Sequence, residues 1–189
     1  MNKKFLPLVS LILIIIALGA VYLLVKNQKG FFQKETPTAK ISVKNFEGCV
    51  AAGYPVMESY PRQCKTPDSK TFTEDIGNEL EKQDMIRLEK PRPNTGVKSP
   101  LTITGKARGS WFFEASFPIK IYDENENILG TGVASTTSDW MTSEFVPFTA
   151  SLKFKTPTTK NGNLVLEKDN PSGLPENADN LQIPVVFAE

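Results

Sequence analysis

Three successive hydrophobic patterns divide the chain. Residues 5–25 carry no charge and are dominated by Leu, Ile and Val. Residues 26–83 sustain no regular pattern, and from residue 84 onward apolar and polar positions alternate in short runs. Residues 148–154 (F-T-A-S-L-K-F) alternate without interruption, which predicts a strand with one buried and one solvated face. The patterns therefore indicate a membrane segment, a connecting region and a β domain.

A helix over residues 5–25 is long enough to cross a lipid bilayer. At 1.5 Å per residue such a helix spans about 30 Å, the thickness of the hydrocarbon core. The alternative is a cleaved signal peptide, whose apolar region normally covers about 7–15 residues and ends in small residues. Here the apolar run continues past Ala17, Leu18 and Gly19 as far as Val25. The pattern favours an uncleaved, single-pass transmembrane anchor.

Signals for the orientation of this anchor disagree. Lysines are more numerous in residues 26–44 than in residues 1–4, so the positive-inside rule favours a cytoplasmic C-terminal side. A very short N-terminal tail favours the opposite orientation, because large domains translocate largely regardless of charge. A cysteine pair in the C-terminal part also suits an oxidising compartment. We expect residues 1–4 in the cytoplasm and the C-terminal domain outside the cell membrane.

Residues 26–83 connect the anchor to the β domain in three parts. Residues 26–44 are polar and aperiodic, which predicts a tether. Residues 45–77 form a small module bounded by Cys49 and Cys64, whose spacing excludes a redox Cys-x-x-Cys pair. A disulfide closing a hairpin loop of that size would stabilise the fold by about 3 kcal/mol. Residues 78–83 form a charged connector with room for one helical turn.

Residues 84–189 contain about seven short alternating runs separated by turn residues, and no long amphipathic helix. This arrangement predicts an all-β fold, an immunoglobulin-like β-sandwich. The acidic and amide residues 123–127 predict a hairpin turn, and Pro184 predicts that the last strand lies at an edge. No cysteine occurs beyond Cys64, so the two sheets must pack without the disulfide found in antibody domains.

Four ordered blocks carry a family resemblance. They are S-P-L-T-I-T-G-K-A-R-G from residue 99, W-F-F-E-A-S-F-P from residue 111, D-W-M-T-S-E-F-V-P-F from residue 139 and K-D-N-P-S-G-L-P from residue 168. Residues 84–188 thereby resemble the bacterial spore germination immunoglobulin-like domain family. Residues 45–77 resemble a short cysteine-bounded module of exported bacterial proteins. The resemblance implies an immunoglobulin-like fold on the outer side of a bacterial membrane, without catalytic residues.

Composition and charge remove several classes of function. The chain has no histidine, which excludes Ser-His-Asp and Cys-His catalysis and imidazole zinc sites. Beyond residue 44, 15 basic residues face 20 acidic ones, and this excess of five negative charges argues against a nucleic-acid partner. No phosphate-binding loop or nucleophile motif occurs. We therefore expect no metal, no cofactor and no catalytic residue.

Aromatic residues that break the alternation form the candidate surface for a ligand or partner. Residues 111–113 (W-F-F) would place large side chains on both faces of one strand. Trp140 lies in a turn-like stretch and either plugs the open end of the sandwich or offers a platform for a sugar ring or a partner side chain. The whole candidate surface comprises Trp111, Phe112, Glu114, Asp139, Trp140, Met141, Glu144 and Phe145.

These expectations combine into one functional hypothesis and two alternatives. We expect a membrane-anchored, non-enzymatic binding module displayed in the bacterial cell envelope, whose partner is an unknown envelope protein or polysaccharide. The first alternative is a carbohydrate-binding module for peptidoglycan or another envelope polysaccharide, using Trp111 or Trp140. The second is an envelope hydrolase, with two catalytic carboxylates drawn from Glu114, Asp139, Glu144, Glu167 and Asp169. Charges at strand ends are common in sandwiches, so the hydrolase is the least supported.

Overall fold

A computed structural model describes residues 22 and 42–188 of the chain. The chain divides into two compact units, Met1–Ser42 and Val43–Glu189. Apart from Tyr22, which is helical and exposed, the predicted anchor lies outside the described residues, as does most of the predicted tether. Within the described part of the chain, no helix is long and apolar enough to span a membrane. The anchor therefore stays a prediction.

The cysteine-bounded segment folds as one short helix against a small antiparallel sheet. Helix α1 spans Phe46–Ala51, and strands β1 (Val56–Met57), β2 (Gln63–Lys65) and β3 (Thr71–Thr73) pair in chain order. Asn45 caps α1, since its side-chain oxygen accepts a hydrogen bond from the Gly48 amide at 2.9 Å. The predicted disulfide is present, and it joins helix to strand because Cys49 lies in α1 and Cys64 in β2.

The β domain contains eight strands, preceded by the single turn of helix α2 (Glu79–Lys82) in the predicted connector. The strands are β4 (Ile86–Lys90), β5 (Gly96–Val97), β6 (Leu101–Arg108), β7 (Ser116–Asp123), β8 (Ile128–Ser135), β9 (Phe145–Leu152), β10 (Asn161–Glu167) and β11 (Asn180–Phe187). Their order across the sheet is β4-β6-β9-β8-β7-β10-β11-β5. The sequence predicts about seven strands, and the additional β5 is only two residues long.

The strands form an immunoglobulin-like sandwich of two layers, β4-β6-β9 and β8-β7-β10-β11-β5. The layers join where β8 and β9 pair at a single position, Ser135 with Thr149. Strand β9 alternates as predicted, and every second residue from Val146 to Leu152 is buried. Across the core, the ring of Phe117 contacts the ring of Phe148 edge to face at 4.9 Å between centres. Burial of these alternating faces holds the layers together.

The outer edge of β11 differs from the prediction. Pro184 predicted an edge strand, but β5 pairs in parallel with β11 at Val186 and Phe187. The carbonyl of Pro184 accepts a hydrogen bond from the Asn94 amide, so the proline nitrogen faces the same outer side. No ladder bond is needed there, because β5 is too short to reach Pro184. Proline is therefore accommodated in a strand with a neighbour on each side.

The end of the cysteine-bounded segment and the start of the connector pack directly on the sandwich and cover more of this edge. The Asn78 amide donates to the Gln182 carbonyl at 3.1 Å, and the Gln182 amide donates back to Asn78 Oδ1 at 2.8 Å. A Cβ on Gly77 would lie 1.9 Å from the Gln182 carbonyl oxygen, so only glycine fits this approach. Covering an exposed strand edge in this way blocks pairing with other chains.

Candidate functional site

Two members of the predicted surface, Trp111 and Phe112, lie in the core. Trp111 is completely buried and Phe112 is 4% exposed. The prediction that they face a ligand is wrong because residues Gly109–Trp111 form a 3-10 turn rather than part of a strand. The turn directs Trp111 inward and leaves Phe113 as the exposed aromatic residue. The indole Nε1 of Trp111 has no hydrogen-bond partner among the described residues.

Gly109 determines this turn because the connection between β6 and β7 passes very close to the connection between β8 and β9. A Cβ at this position would lie 2.0 Å from the Thr142 carbonyl oxygen and 2.1 Å from that of Trp140. The Gly109 amide also donates to the Glu144 carbonyl at 3.3 Å. Only glycine permits this contact, which fixes the β6–β7 connection against the β8–β9 connection. We call the two connections, residues 109–115 and 136–144, the loop end of the sandwich.

A strained two-residue turn lies at the tip of the first connection. Phe113 and Ser116 exchange both backbone hydrogen bonds at 3.0 Å, which closes a hairpin around Glu114 and Ala115. Both turn residues have positive φ, 48° and 60°, as in a type I′ turn. Type I′ turns favour Asn-Gly, since other residues are less stable in the left-handed region. Glu114 is therefore exposed at the tip.

The second connection combines an anchored tryptophan with an exposed methionine. Trp140 is partly buried and packs against the sandwich core, whereas Met141 is 79% exposed. Asp139 Oδ1 accepts a hydrogen bond from the Met141 amide at 3.0 Å. The Thr142 amide donates to the Trp140 carbonyl at 2.8 Å. This arrangement agrees with Trp140 as a plug and makes Met141 the most exposed large apolar side chain among the described residues.

Phe145 and Glu144 lie where the loop end meets the outer face of β4-β6-β9. Because the neighbouring Val146 points inward, Phe145 points outward, and its ring is half-buried by cations. The Arg108 and Arg87 guanidinium carbons lie 4.1 and 4.4 Å from the ring centre, and Lys106 Nζ lies 5.9 Å away. The sequence prediction missed this cation cluster. The sequence signal for the cluster was the pair Lys106 and Arg108, which are two residues apart on β6 and therefore lie on the same face of the strand.

The carboxylates of the hydrolase hypothesis are distributed over different structural roles. Glu167 pairs with Lys120 at 2.7 Å on the outer face of β10 and β7, and this bond raises the lysine pKa. Asp139 accepts the Met141 amide, and Glu144 lies 4.0 Å from Arg108. Within the described residues, no group of three acidic or cysteine side chains is placed to hold a metal ion. The structure thus assigns structural partners to three of these five carboxylates.

A groove of about 670 Å³ lies between α1 and the outer face of β10 and β11. Its walls include an ion pair in which Arg62 donates to both carboxylate oxygens of Glu74, at 2.9 and 2.6 Å. Asn94 adds a third bond to Glu74 at 3.2 Å. The hydrogen bond from Arg62 is the main reason that the pKa of Glu74 lies below its usual range. The Arg62–Glu74 pair lies within the cysteine-bounded segment, and the bond from Asn94 connects it with the sandwich.

Comparison with known families matches residues 85–173 to the immunoglobulin-like domain of bacterial spore germination. The matched segment runs from the start of β4 through the loop end into the β10–β11 connection, and it accounts for just under half of the chain. It contains the first three blocks on which the sequence resemblance rests and residues 168–173 of the fourth, so the resemblance is confirmed. No curated protein and no solved structure matches the chain.

Proposed function

We propose that this chain is a non-catalytic, membrane-anchored interaction module, displayed outside a bacterial membrane and binding an envelope protein through its loop end. The immunoglobulin-like domain supports the interaction role, since such sandwiches present loops on a rigid core. The uncharged residues 5–25 support a single-pass anchor in the lipid bilayer. The Cys49–Cys64 disulfide supports an extracytoplasmic location, because disulfides persist in oxidising compartments.

The observation that carries this proposal is the exposed side chain of Met141 on a rigidly held connection. Protein interfaces favour aromatic residues and methionine at their centres. Binding costs the least conformational entropy when the backbone that carries these residues is already fixed. Phe113 adds a second exposed apolar side chain, 42% accessible, at the tip of the other connection. Both connections are held together at Gly109. The loop end therefore presents apolar groups in a defined position.

The carbohydrate alternative with a tryptophan platform is weaker at this surface. A sugar ring stacks on an accessible aromatic face, but Trp111 has none and Trp140 packs against the core. The exposed apolar groups at the loop end are instead the thioether of Met141 and the ring of Phe113. We therefore assign a protein partner to the loop end.

Crosslinking in cells tests the loop-end proposal. A photoreactive amino acid at position 141 of the full chain should produce a discrete protein adduct in the bacterial host. Position 128 provides the control, since Ile128 is 50% exposed at the start of β8, the end of that strand opposite to the loop end. Adducts of equal yield and identity from both positions, or none from position 141, would contradict the proposal. Rapid alkylation of Cys49 and Cys64 only after cell lysis, without reductant, would contradict the extracytoplasmic location.

A further inference from the structure

We propose that the outer face of β4-β6-β9 binds an anionic polysaccharide, one whose sugar units carry carboxylate or phosphate groups. The site is the cation cluster of Arg87, Lys106 and Arg108 around Phe145, together with the hydroxyl-bearing residues that continue along the same face. This surface is separate from Met141 and Phe113, so the inference does not depend on the protein partner proposed above.

The cluster gathers positive charge in residues 45–189, a part of the chain in which acidic residues outnumber basic ones. The two guanidinium carbons lie 4.1 and 4.4 Å from one ring centre, so they are within one Debye length of each other, about 10 Å at 0.1 M salt. Arg87 and Lys106 are also cross-strand partners in the pairing of β4 with β6. Like charges placed this close repel each other and cost stability. A bound anion would remove that cost.

Carboxylates neutralise this charge only in part. Glu144 lies 4.0 Å from Arg108 and its side chain is 80% exposed, which makes the pair weak. In the part of the chain that the structure describes, no carboxylate lies within 4.0 Å of Arg87 or Lys106. The same domain pairs other cations closely, such as Lys120 with Glu167 at 2.7 Å. The cluster therefore retains charge that can attract an anion.

Both arginines are held in place by neutral groups, which leaves donors free for a ligand. Arg108 donates through Nε to the Asp84 carbonyl and through one terminal nitrogen to the Ser143 carbonyl, each at 3.0 Å. Arg87 donates through Nε to the Gln83 carbonyl at 2.7 Å. A guanidinium has five donor hydrogens arranged to match carboxylate or phosphate oxygens. Holding it in advance lowers the entropy cost of binding.

The rest of the face indicates a sugar polymer rather than another polyanion. Beyond the cations, two cross-strand pairs align hydroxyl groups along the sheet, Thr104 with Thr149 and Thr102 with Ser151. All four alternate with buried neighbours, so they share the outer face with Phe145. Hydroxyl groups both donate and accept hydrogen bonds, as sugar hydroxyls do. An extended anionic glycan would meet cations at one end of this track and hydroxyls along it.

An acidic peptide fits this face less well. Peptide recognition depends on apolar or aromatic anchors entering pockets, and the one aromatic ring here, Phe145, is already covered by cations. A single-stranded nucleic acid is disfavoured because its bases stack on accessible aromatic rings, and the ring of Phe145 is covered by Arg87 and Arg108. These polymers therefore serve as comparison ligands in the test.

The binding test uses the full chain in a nonionic detergent and a fluorescent oligogalacturonate of about ten sugars. Removing two cations by Arg87→Gln with Lys106→Gln should weaken binding about tenfold or more, since each removes charge-assisted hydrogen bonds. The double variant Lys155→Gln with Lys160→Gln changes net charge equally, and both lysines are exposed beyond the end of β9. It should bind as the parent does. Unchanged circular dichroism and a cooperative melting transition confirm that each variant is folded.

A variant that should strengthen binding provides a second test. Glu144→Gln removes a competing carboxylate, so it should strengthen binding to oligogalacturonate about twofold to fivefold, within the range of an exposed ion pair. A neutral maltodecaose should not bind. Equal loss in the lysine control would mean that net charge alone is responsible, and this would overturn the site. Equal or tighter binding of poly-glutamate, a single-stranded oligonucleotide or anionic lipid vesicles would overturn the assignment to a glycan.

Discussion

The cysteine-bounded segment and the sandwich achieve stability in different ways. The segment buries three residues in its own cluster, Phe46, Cys49 and Cys64, and two of them form the disulfide. The sandwich buries 22 apolar residues in one continuous core without any cysteine. A core that small cannot offset the entropy of ordering a chain segment. The segment therefore needs a covalent link and contacts with the sandwich, whereas the sandwich needs only packing.

Truncating the centre of the sandwich core should have the largest effect. Phe117 is fully buried and contacts both Phe112 and Phe148 edge to face, at 5.2 and 4.9 Å. We expect Phe117→Ala to lower the free energy of unfolding by about 3–5 kcal/mol, because it leaves a cavity at the contact between the layers. Urea denaturation followed by circular dichroism measures this.

Phe72→Ala is the matched control in the cysteine-bounded segment. Phe72 is only partly buried, against the small cluster of that segment. We expect it to cost clearly less than Phe117→Ala, since less of its surface is removed from water. Equal costs for the two substitutions would contradict the difference between the regions.

Removing the disulfide should affect the cysteine-bounded segment and spare the sandwich. The double variant Cys49→Ala with Cys64→Ala should destabilise β1, β2 and β3 by about 3 kcal/mol, the chain-entropy value for a loop of about 15 residues. Hydrogen exchange measures the effect strand by strand. Amides of the small sheet should lose protection, while those of β6, β7 and β10 keep it. Equal loss in both regions would mean that they unfold as one unit.

Features encoded locally were predictable from the sequence. The alternation of residues 148–154, the 123–127 turn and the cysteine spacing each depend on neighbouring residues, and the structure contains all three. Asp123, for example, accepts the amides of Asn125 and Asn127 at 2.9 Å and so closes the predicted hairpin. Such signals require no knowledge of distant contacts.

The misassigned site residues depend on contacts between distant parts of the chain. Trp111 turns inward because Gly109 fits against carbonyls of residues 140 and 142, about 30 positions later. The cation cluster depends on the register that places Arg87 opposite Lys106, and Arg108 opposite Phe145. Strand periodicity predicted the outward direction of Phe145 but not which charges it meets. Register between strands is the information that a local pattern lacks.

Acid should destabilise the cysteine-bounded segment at Glu74 before it affects the sandwich core, and it should also weaken the bond that Asn94 of the β domain donates to Glu74. The pKa of Glu74 is lowered from its ordinary value of about 4.5, mainly by the hydrogen bond from Arg62. Its ionised form therefore favours the folded state. This contribution is fully present above about pH 4.5 and is lost as the pH falls through the lower pKa of the folded protein.

Glu74→Gln should abolish that part of the pH dependence and cost about 1–2 kcal/mol at pH 7, because a charged hydrogen bond is lost. Urea denaturation at pH 3 to 7, combined with hydrogen exchange at β2 and β3, measures both effects. The neighbouring Asp75→Asn serves as control, since Asp75 is exposed. A parent protein and a Glu74→Gln variant with the same slope of stability against pH would show that ionisation of Glu74 does not stabilise the folded protein.

The smallest expected effect is a gain in stability at the loop end. Ala115 has φ of 60°, a conformation that glycine adopts without the steric cost of a Cβ. We expect Ala115→Gly to raise the free energy of unfolding by about 0.5–1 kcal/mol. Glycine relieves the strain of the left-handed conformation, and the greater entropy that glycine gives the unfolded chain offsets part of this gain. Ala178→Gly is the control, because Ala178 has φ of −74° and this variant should lose stability instead.

If the strained turn holds Phe113 in position for a partner, Ala115→Gly should also reduce crosslinking from position 113 while the fold becomes more stable. A variant that gains stability and crosslinks as before would show that the strain at residues 114 and 115 has no part in recognition.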